Sequence, residues 1–186
     1  KTAGHAVAGS LPVRAGYLVL GLGFGVLLQT KGYGAGWALA MSVLVYAGSM
    51  QYVAVDLLAG GASLIATALM TLTVNARHLF YGVSMLEKYK GLGKKRVFLI
   101  FALCDETFSL TSSVVPPPGT DRGWFYLWIS LLDYLYWVAA SVLGGILGGV
   151  LPFDTTGLDF ALTALFVVLF IEQIRRRENL TPGLLG

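Results

Sequence analysis

The chain has 186 residues, 56% of them hydrophobic and 12% charged, with a net charge of +3. An ordinary soluble domain carries roughly twice that charged fraction, so a water-facing surface could not be covered, and a soluble enzyme is excluded on composition. The apolar content likewise excludes a disordered chain, and a single Cys excludes internal disulfides and a Cys-based metal cage.

Stretches long and apolar enough to cross roughly 30 Å of hydrocarbon succeed one another along the chain. Leu11–Gln29 is the first, Trp37–Leu58 the second and Ser63–Leu86 the third. Val97–Val115 is a fourth, interrupted by Asp105 and Glu106. Trp124–Leu151 is the fifth, long enough to tilt or bend, and Leu158–Ile174 the sixth. Turn-forming residues separate them: Lys31-Gly32-Tyr33-Gly34, Gly60-Gly61, Lys90-Gly91-Leu92-Gly93, Pro116-Pro117-Pro118-Gly119 and Pro152-Phe153-Asp154. The predicted fold is therefore an all-α polytopic membrane protein of about five or six transmembrane or re-entrant helices, a single transport domain over residues 1–186.

The basic residues lie in short clusters outside the apolar runs, the pattern of a membrane protein and not of a nucleic-acid binder. The strongest clusters are Lys88, Lys90, Lys94, Lys95, Arg96 and then Arg175, Arg176, Arg177. The positive-inside rule places both in the cytoplasm, yet three apolar runs lie between them. Either Val97–Val115 breaks or re-enters, as its adjacent carboxylates suggest, or one cluster lies outside. Shifting the chain by 122 positions lays Gly23 on Gly145 and Gln51 on Gln173, a weak sign of the internal, inverted repeats from which transporters are built. The unequal halves and the first residue, Lys1, are expected of a chain trimmed at one or both ends.

Polar groups inside the apolar runs carry the chemistry, because each is costly unless paired or facing water. In Asn75-Ala76-Arg77-His78-Leu79-Phe80-Tyr81-Gly82, helical spacing puts Thr71, Asn75, His78 and Gly82 on one face and Thr73, Arg77 and Tyr81 on another. Such a helix is enclosed by others or lies close to the interface, where Arg77 and His78 would snorkel to the headgroups. Cys104-Asp105-Glu106-Thr107 places adjacent carboxylates about 100° apart, too far to hide behind one partner. Like charges in low dielectric favour keeping a proton on one of them; the alternative is a static ion pair with Arg77. Ser42, Tyr46, Ser49, Tyr52 and Asp56 form a polar stripe beside Gly48 and Gln51, which suits close helix packing or a local unwinding that frees backbone groups. Gly21, Gly23, Gly25 and Gly144, Gly145, Gly148, Gly149 read as helix-contact faces, and Trp124, Tyr126, Trp128, Tyr134, Tyr136 and Trp137 as interfacial anchors. Ser49 with His78 lacks any surrounding nucleophile motif, so no catalytic residue is assigned. His78, Asp105 and Glu106 lack metal-ligand spacing, so neither a metal nor a cofactor is expected.

Tyr46-Ala47-Gly48-Ser49-Met50-Gln51-Tyr52, Asn75-Ala76-Arg77-His78-Leu79-Phe80-Tyr81-Gly82 and Leu103-Cys104-Asp105-Glu106-Thr107-Phe108, in this order, resemble the AzlC family, the large subunits of branched-chain amino-acid exporters. The resemblance runs from about Leu11 to Arg177. It implies export of leucine, isoleucine, valine and other apolar amino acids across a bacterial inner membrane, with a small AzlD-type membrane subunit as partner. A higher oligomer is compatible with it. The absence of an ATP-binding loop agrees with a secondary transporter driven by an ion gradient, for which protons are the expectation. A zwitterionic substrate needs a partner for its carboxylate, one for its ammonium, and an apolar pocket. Arg77, or a broken-helix N-terminus near Gly48 and Ser49, suits the carboxylate. Asp105 or Glu106, with His78 nearby, suits the ammonium or the coupling proton, while Gln51, Asn75 and Tyr81 would orient the substrate. The competing reading is a cation channel or metal-ion transporter in which His78, Asp105 and Glu106 hold the ion.

Overall fold

The computed structural model describes residues 2–150, with Phe160 and Val167 beyond them. Contacts divide the chain after Leu151, and all of the described helices belong to the unit Lys1–Leu151. The described residues of that unit are all helix and connection: α1 (Thr2–Thr30), α2 (Ala35–Leu44), α3 (Gly48–Ala59), α4 (Leu64–Ser84), α5 (Lys95–Phe101), α6 (Asp105–Ser113) and α7 (Arg122–Val150). The expected run Leu158–Ile174, Gln173 of the proposed repeat and the cluster Arg175–Arg177 lie outside the described residues.

Three of the expected runs are continuous helices, α1, α4 and α7; the other two are each split. Trp37–Leu58 becomes α2 and α3, and Val97–Val115 becomes α5 and α6, so this latter run is broken. Among the described residues α7 is long and apolar enough to cross a membrane, whereas Arg14–Thr30 of α1 and α2 are shorter apolar helices.

The most extensive packing is between α1 and α7, and the small residues make it possible. A methyl group built on Gly25 would meet the backbone of Ser141 and Gly145, and one on Gly144 would meet the backbone of Leu22. The glycine faces expected from the sequence are thus a helix contact, the small-residue packing that lets backbones touch in an apolar medium. Phe24, Leu28 and Tyr17 of α1 are buried there. A separate apolar cluster of Met85, Tyr89, Leu99, Leu103, Phe125, Tyr126 and Ile129 ties the segment after α4 to α5 and the start of α7.

Two of the aromatic residues expected at the membrane interface lie in these cores instead. Tyr126 and Trp137 are buried, Trp137 donates to Gln51 Oε1 at 2.9 Å, and Tyr134 donates to the Val43 carbonyl at 3.0 Å. Each finds a polar partner inside the fold, which sequence alone does not disclose. By contrast α4 has no buried residue, and Leu64, Leu79 and Phe80 stand exposed on it.

The start of α7 is set by Asp121, whose Oδ1 accepts from the Trp124 amide at 2.7 Å and lies 3.6 Å from Lys95 Nζ. This is N-cap chemistry, reinforced by a cation that also sits 4.2 Å from the Trp124 ring centroid. The Trp124 amide first, and Lys95 after it, hold the Asp121 carboxyl below its usual range. A carboxyl depressed in the folded state contributes stability above its unfolded value and loses it as pH falls through the folded one. Asp121→Ala therefore lowers the melting temperature of the detergent-purified protein at neutral pH. The gap to wild type closes below roughly pH 4, which melting curves across that range read directly.

Candidate functional site

The two helix breaks lie side by side. The first runs through Val45, Tyr46 and Ala47, and Tyr46 adopts a φ of 43°, the left-handed region that a bulky residue enters only under restraint. The restraint is packing: the Tyr46 ring is buried, 4.9 Å from the Tyr134 ring centroid and 6.4 Å from that of Phe101, at the second break. The second break runs through Ala102, Leu103 and Cys104, and Cys104 Sγ lies 3.8 Å from the Tyr46 hydroxyl. The half-helices α3 and α6 begin at Gly48 and Asp105 with no side-chain cap, so each presents free backbone N–H groups.

A cavity of about 200 Å³ opens between the breaks and α4. Val45, Tyr46, Ala47, Ile100, Phe101 and Leu103 line it from the breaks, and Asn75, His78 and Gly82 from α4. The lining is mostly apolar, and two of its polar atoms lack partners: Asn75 Oδ1 and His78 Nδ1 are buried without a hydrogen bond. Buried polar atoms of this kind are rare and call for an explanation.

Beside the cavity an ionic cluster joins α4 to both half-helices. Arg77 Nη2 donates to Ser49 Oγ at 2.7 Å and to Asp105 Oδ2 at 2.9 Å. Tyr81 donates to Asp105 Oδ1 at 2.7 Å, and its ring stacks on Phe108 with centroids 4.4 Å apart. The static pair considered from the sequence is therefore present, yet Arg77 Nε remains unpartnered. Glu106 turns the other way, accepting from Tyr17 at 3.2 Å, as expected of adjacent residues on one helix.

The residues singled out from the sequence are thus mostly brought together. Ser49, Arg77, Tyr81 and Asp105 form one bonded cluster, with Asn75 and His78 on the cavity wall. Gly48 opens α3 with the Trp137 ring against it: a methyl group there would come within 3.2 Å of that ring. Gln51 faces away from the cavity lining, fully buried between Ser42 Oγ at 3.1 Å and Trp137. Its amide links three helices. Ser49 is engaged by Arg77 and not by His78, so no nucleophile–base pair forms. His78, Asp105 and Glu106 do not converge with a further ligand: among the described residues no group of three His, Cys, Asp or Glu could hold a metal.

Sequence reasoning missed Tyr17 and Asp133. Asp133 is fully buried in the middle of α7 and accepts from Thr107 at 3.1 Å. The available signal was a lone carboxyl within the apolar run Trp124–Leu151, masked by the aromatic residues around it.

A sequence model of the AzlC family, described as AzlC protein, matches residues 12–151. A Bacillus subtilis protein named branched-chain amino acid transport protein AzlC is 45% identical over 95% of this chain and 70% of its own length. An uncharacterized membrane protein of Haemophilus influenzae is 42% identical over 95% of the chain and 73% of its own length. The Escherichia coli inner membrane protein YgaZ is 29% identical over 95% of the chain and 76% of its own length. No solved structure matches.

Proposed function

The chain belongs to the AzlC family, and on that premise we propose that it is the large, multi-pass subunit of a secondary exporter of branched-chain and other apolar amino acids. In this reading it works in a bacterial inner membrane with a small AzlD-type subunit, and protons drive it. The name of the Bacillus relative supports the substrate class, and the names of the other relatives support the membrane. The observation that carries the reading is the small, apolar cavity between two broken helices, flanked by a matched Arg–Asp pair.

Broken helices are the usual substrate sites of secondary transporters, because freed backbone groups bind what the membrane interior otherwise cannot hold. Arg77 and Asp105 satisfy each other, and a zwitterion can exchange into that pair. Its carboxylate takes the Arg77 guanidinium and the free amides at the start of α3; its ammonium takes Asp105, with Tyr81 holding the other carboxylate oxygen. The exchange conserves charge, so neither residue is left unpaired in low dielectric. Asn75 and His78 supply the unsatisfied polar atoms, and Val45, Ile100, Phe101 and Leu103 supply contact for an aliphatic side chain. A cavity of about 200 Å³ is below the usual range for drug-sized ligands and suits one small molecule. Glu106, apart from this pair, is free to carry the coupling proton.

The test is transport of labelled leucine by the purified complex in liposomes. An imposed pH gradient drives accumulation in the wild type, and Glu106→Gln loses the pH-driven part while still binding leucine. Absence of transport of any apolar amino acid by the two subunits together would sink the reading.

A further inference from the structure

Asp133 has no part in the exchange just described, yet it is the most enclosed carboxyl among the described residues. Its side chain is shut away from the surface, Oδ2 is held by Thr107, and Oδ1 has no partner. A carboxylate placed so, with no cation against it, is costly unless it takes up a proton or an ion during function. No such cation is present: among the described residues neither Asp133 nor Glu106 has a Lys, Arg or His within ion-pair distance.

From Thr107 the contacts continue without a gap. Thr107 Oγ1 lies 3.3 Å from Cys104 Sγ, Cys104 Sγ lies 2.8 Å from the Tyr17 hydroxyl, and Tyr17 reaches Glu106 Oε2 at 3.2 Å. Each intermediate is a hydroxyl or thiol, able to donate and accept at once. Glu106 is half-buried and Asp133 is fully buried, so the two ends of the run differ in enclosure. The other elements packed on α7 bring little charge to it. Within its bounds α2 has no titratable side chain. α5 carries Lys95 and Arg96 in its first turn, where Lys95 meets Asp121. On α1, Arg14 lies against Tyr136, and on α6, Asp105 is held by Arg77. Tyr46, at the first break, meets Cys104.

We propose that Asp133 is the inner terminus of a proton relay that begins at Glu106 and passes through Tyr17, Cys104 and Thr107. In one transfer the protonated Glu106 gives its proton to the Tyr17 oxygen, Tyr17 gives its own to Cys104, Cys104 to Thr107, and Thr107 to the Asp133 carboxylate. Every O–H or S–H broken is replaced, and the net change is one proton moved from Glu106 to Asp133. The relay rests on the proton-coupled reading of the transporter and adds to it a second carboxyl and a route. Because Cys104 forms the second break and Tyr46 touches it from the first, the protonation of this run is mechanically tied to the two helix ends that frame the cavity.

The test uses the complete two-subunit complex in liposomes, with leucine and two readouts: accumulation driven by a pH gradient, and leucine–leucine exchange with no gradient. Asp133→Asn and Thr107→Val are expected to lose the gradient-driven accumulation while keeping exchange, which also reports that they fold. Cys104→Ser, which can still pass a proton, keeps both, and Cys104→Ala loses the first. If Asp133→Asn does not assemble, Thr107→Val decides alone, since it removes one hydroxyl and conserves volume. Unchanged gradient-driven accumulation in these variants overturns the relay and leaves proton coupling standing. A wild type indifferent to pH but dependent on sodium overturns both.

Discussion

On the proposed reading, Arg77→Ala is expected to abolish leucine efflux from cells that make the chain together with an AzlD-type subunit. One guanidinium nitrogen serves both Ser49, in the first turn of α3, and Asp105, at the first position of α6. Its removal therefore takes away the cation proposed for the substrate carboxylate and leaves Asp105 with Tyr81 alone. The pair is neither exposed nor sealed, with side-chain exposures of 27% and 20%. The stability cost thus lies between the surface value, under about 1 kcal/mol, and the roughly 3–5 kcal/mol of breaking a buried pair. That range permits a folded but inactive protein. Arg77→Lys keeps the charge but loses the planar guanidinium whose Nη2 serves both partners, and is expected to retain only part of the activity. The double variant Arg77→Ala/Asp105→Asn melts higher than Arg77→Ala, because no lone carboxylate remains, yet transports nothing. A purely structural pair would behave differently: in that case the double variant would recover transport along with stability. Efflux assays beside melting curves separate the two, and efflux that survives Arg77→Ala would remove the Arg–Asp pair from the site.

How much of the fold and site is legible in the sequence depends on which interactions are local. The break in the run 97–115 was legible because Asp105 and Glu106 point in different directions and cannot both be paired on a continuous buried helix. The first break was legible only in outline. Gly48 and Ser49 suggested unwinding, but the strained residue is Tyr46, a side chain that no propensity places at a φ of 43°. Its conformation is imposed by Tyr134 and Phe101, distant in sequence. The same holds for Gln51. Its place in a polar stripe suggested a ligand group, while its amide is spent on Ser42 and Trp137. Trp137 itself illustrates the limit, since an indole N–H that finds a buried partner and one that reaches a headgroup look alike in sequence. Asp133 is hard to read for the reverse reason. One carboxyl in an apolar helix has meaning only once α6 supplies Thr107 and, through it, the route to Glu106.

Gly25→Ala unfolds the contact on which all of this depends, and its effect is best measured against Gly16→Ala, the same exchange on the same helix. At Gly16 a methyl group meets nothing within 4 Å, so the substitution stabilises α1 by roughly 0.5–1 kcal/mol through lower unfolded-state entropy. At Gly25 the same methyl meets the carbonyl of Ser141 and the amide of Gly145, with the Gly144 carbonyl carbon 2.7 Å away. These are backbone atoms, so no change of rotamer relieves the collision and the helices must separate. Gly21 and Gly25 on α1 face Ser141, Gly144 and Gly145 on α7, a spacing of four residues that repeats along both helices and leaves no neighbouring position able to absorb the shift. Overpacking costs about 1–3 kcal/mol where side chains can yield, and the cost here is expected at or beyond the top of that range. The consequences reach the site, because α1 carries Tyr17 and α7 carries Asp133, and their separation by even part of an ångström interrupts bonds that pass through Cys104 and Thr107. Gly25→Ala is therefore expected to melt well below Gly16→Ala in detergent and to lose transport with it. Equal melting temperatures for the two variants would mean that the helices do not approach this closely in the membrane.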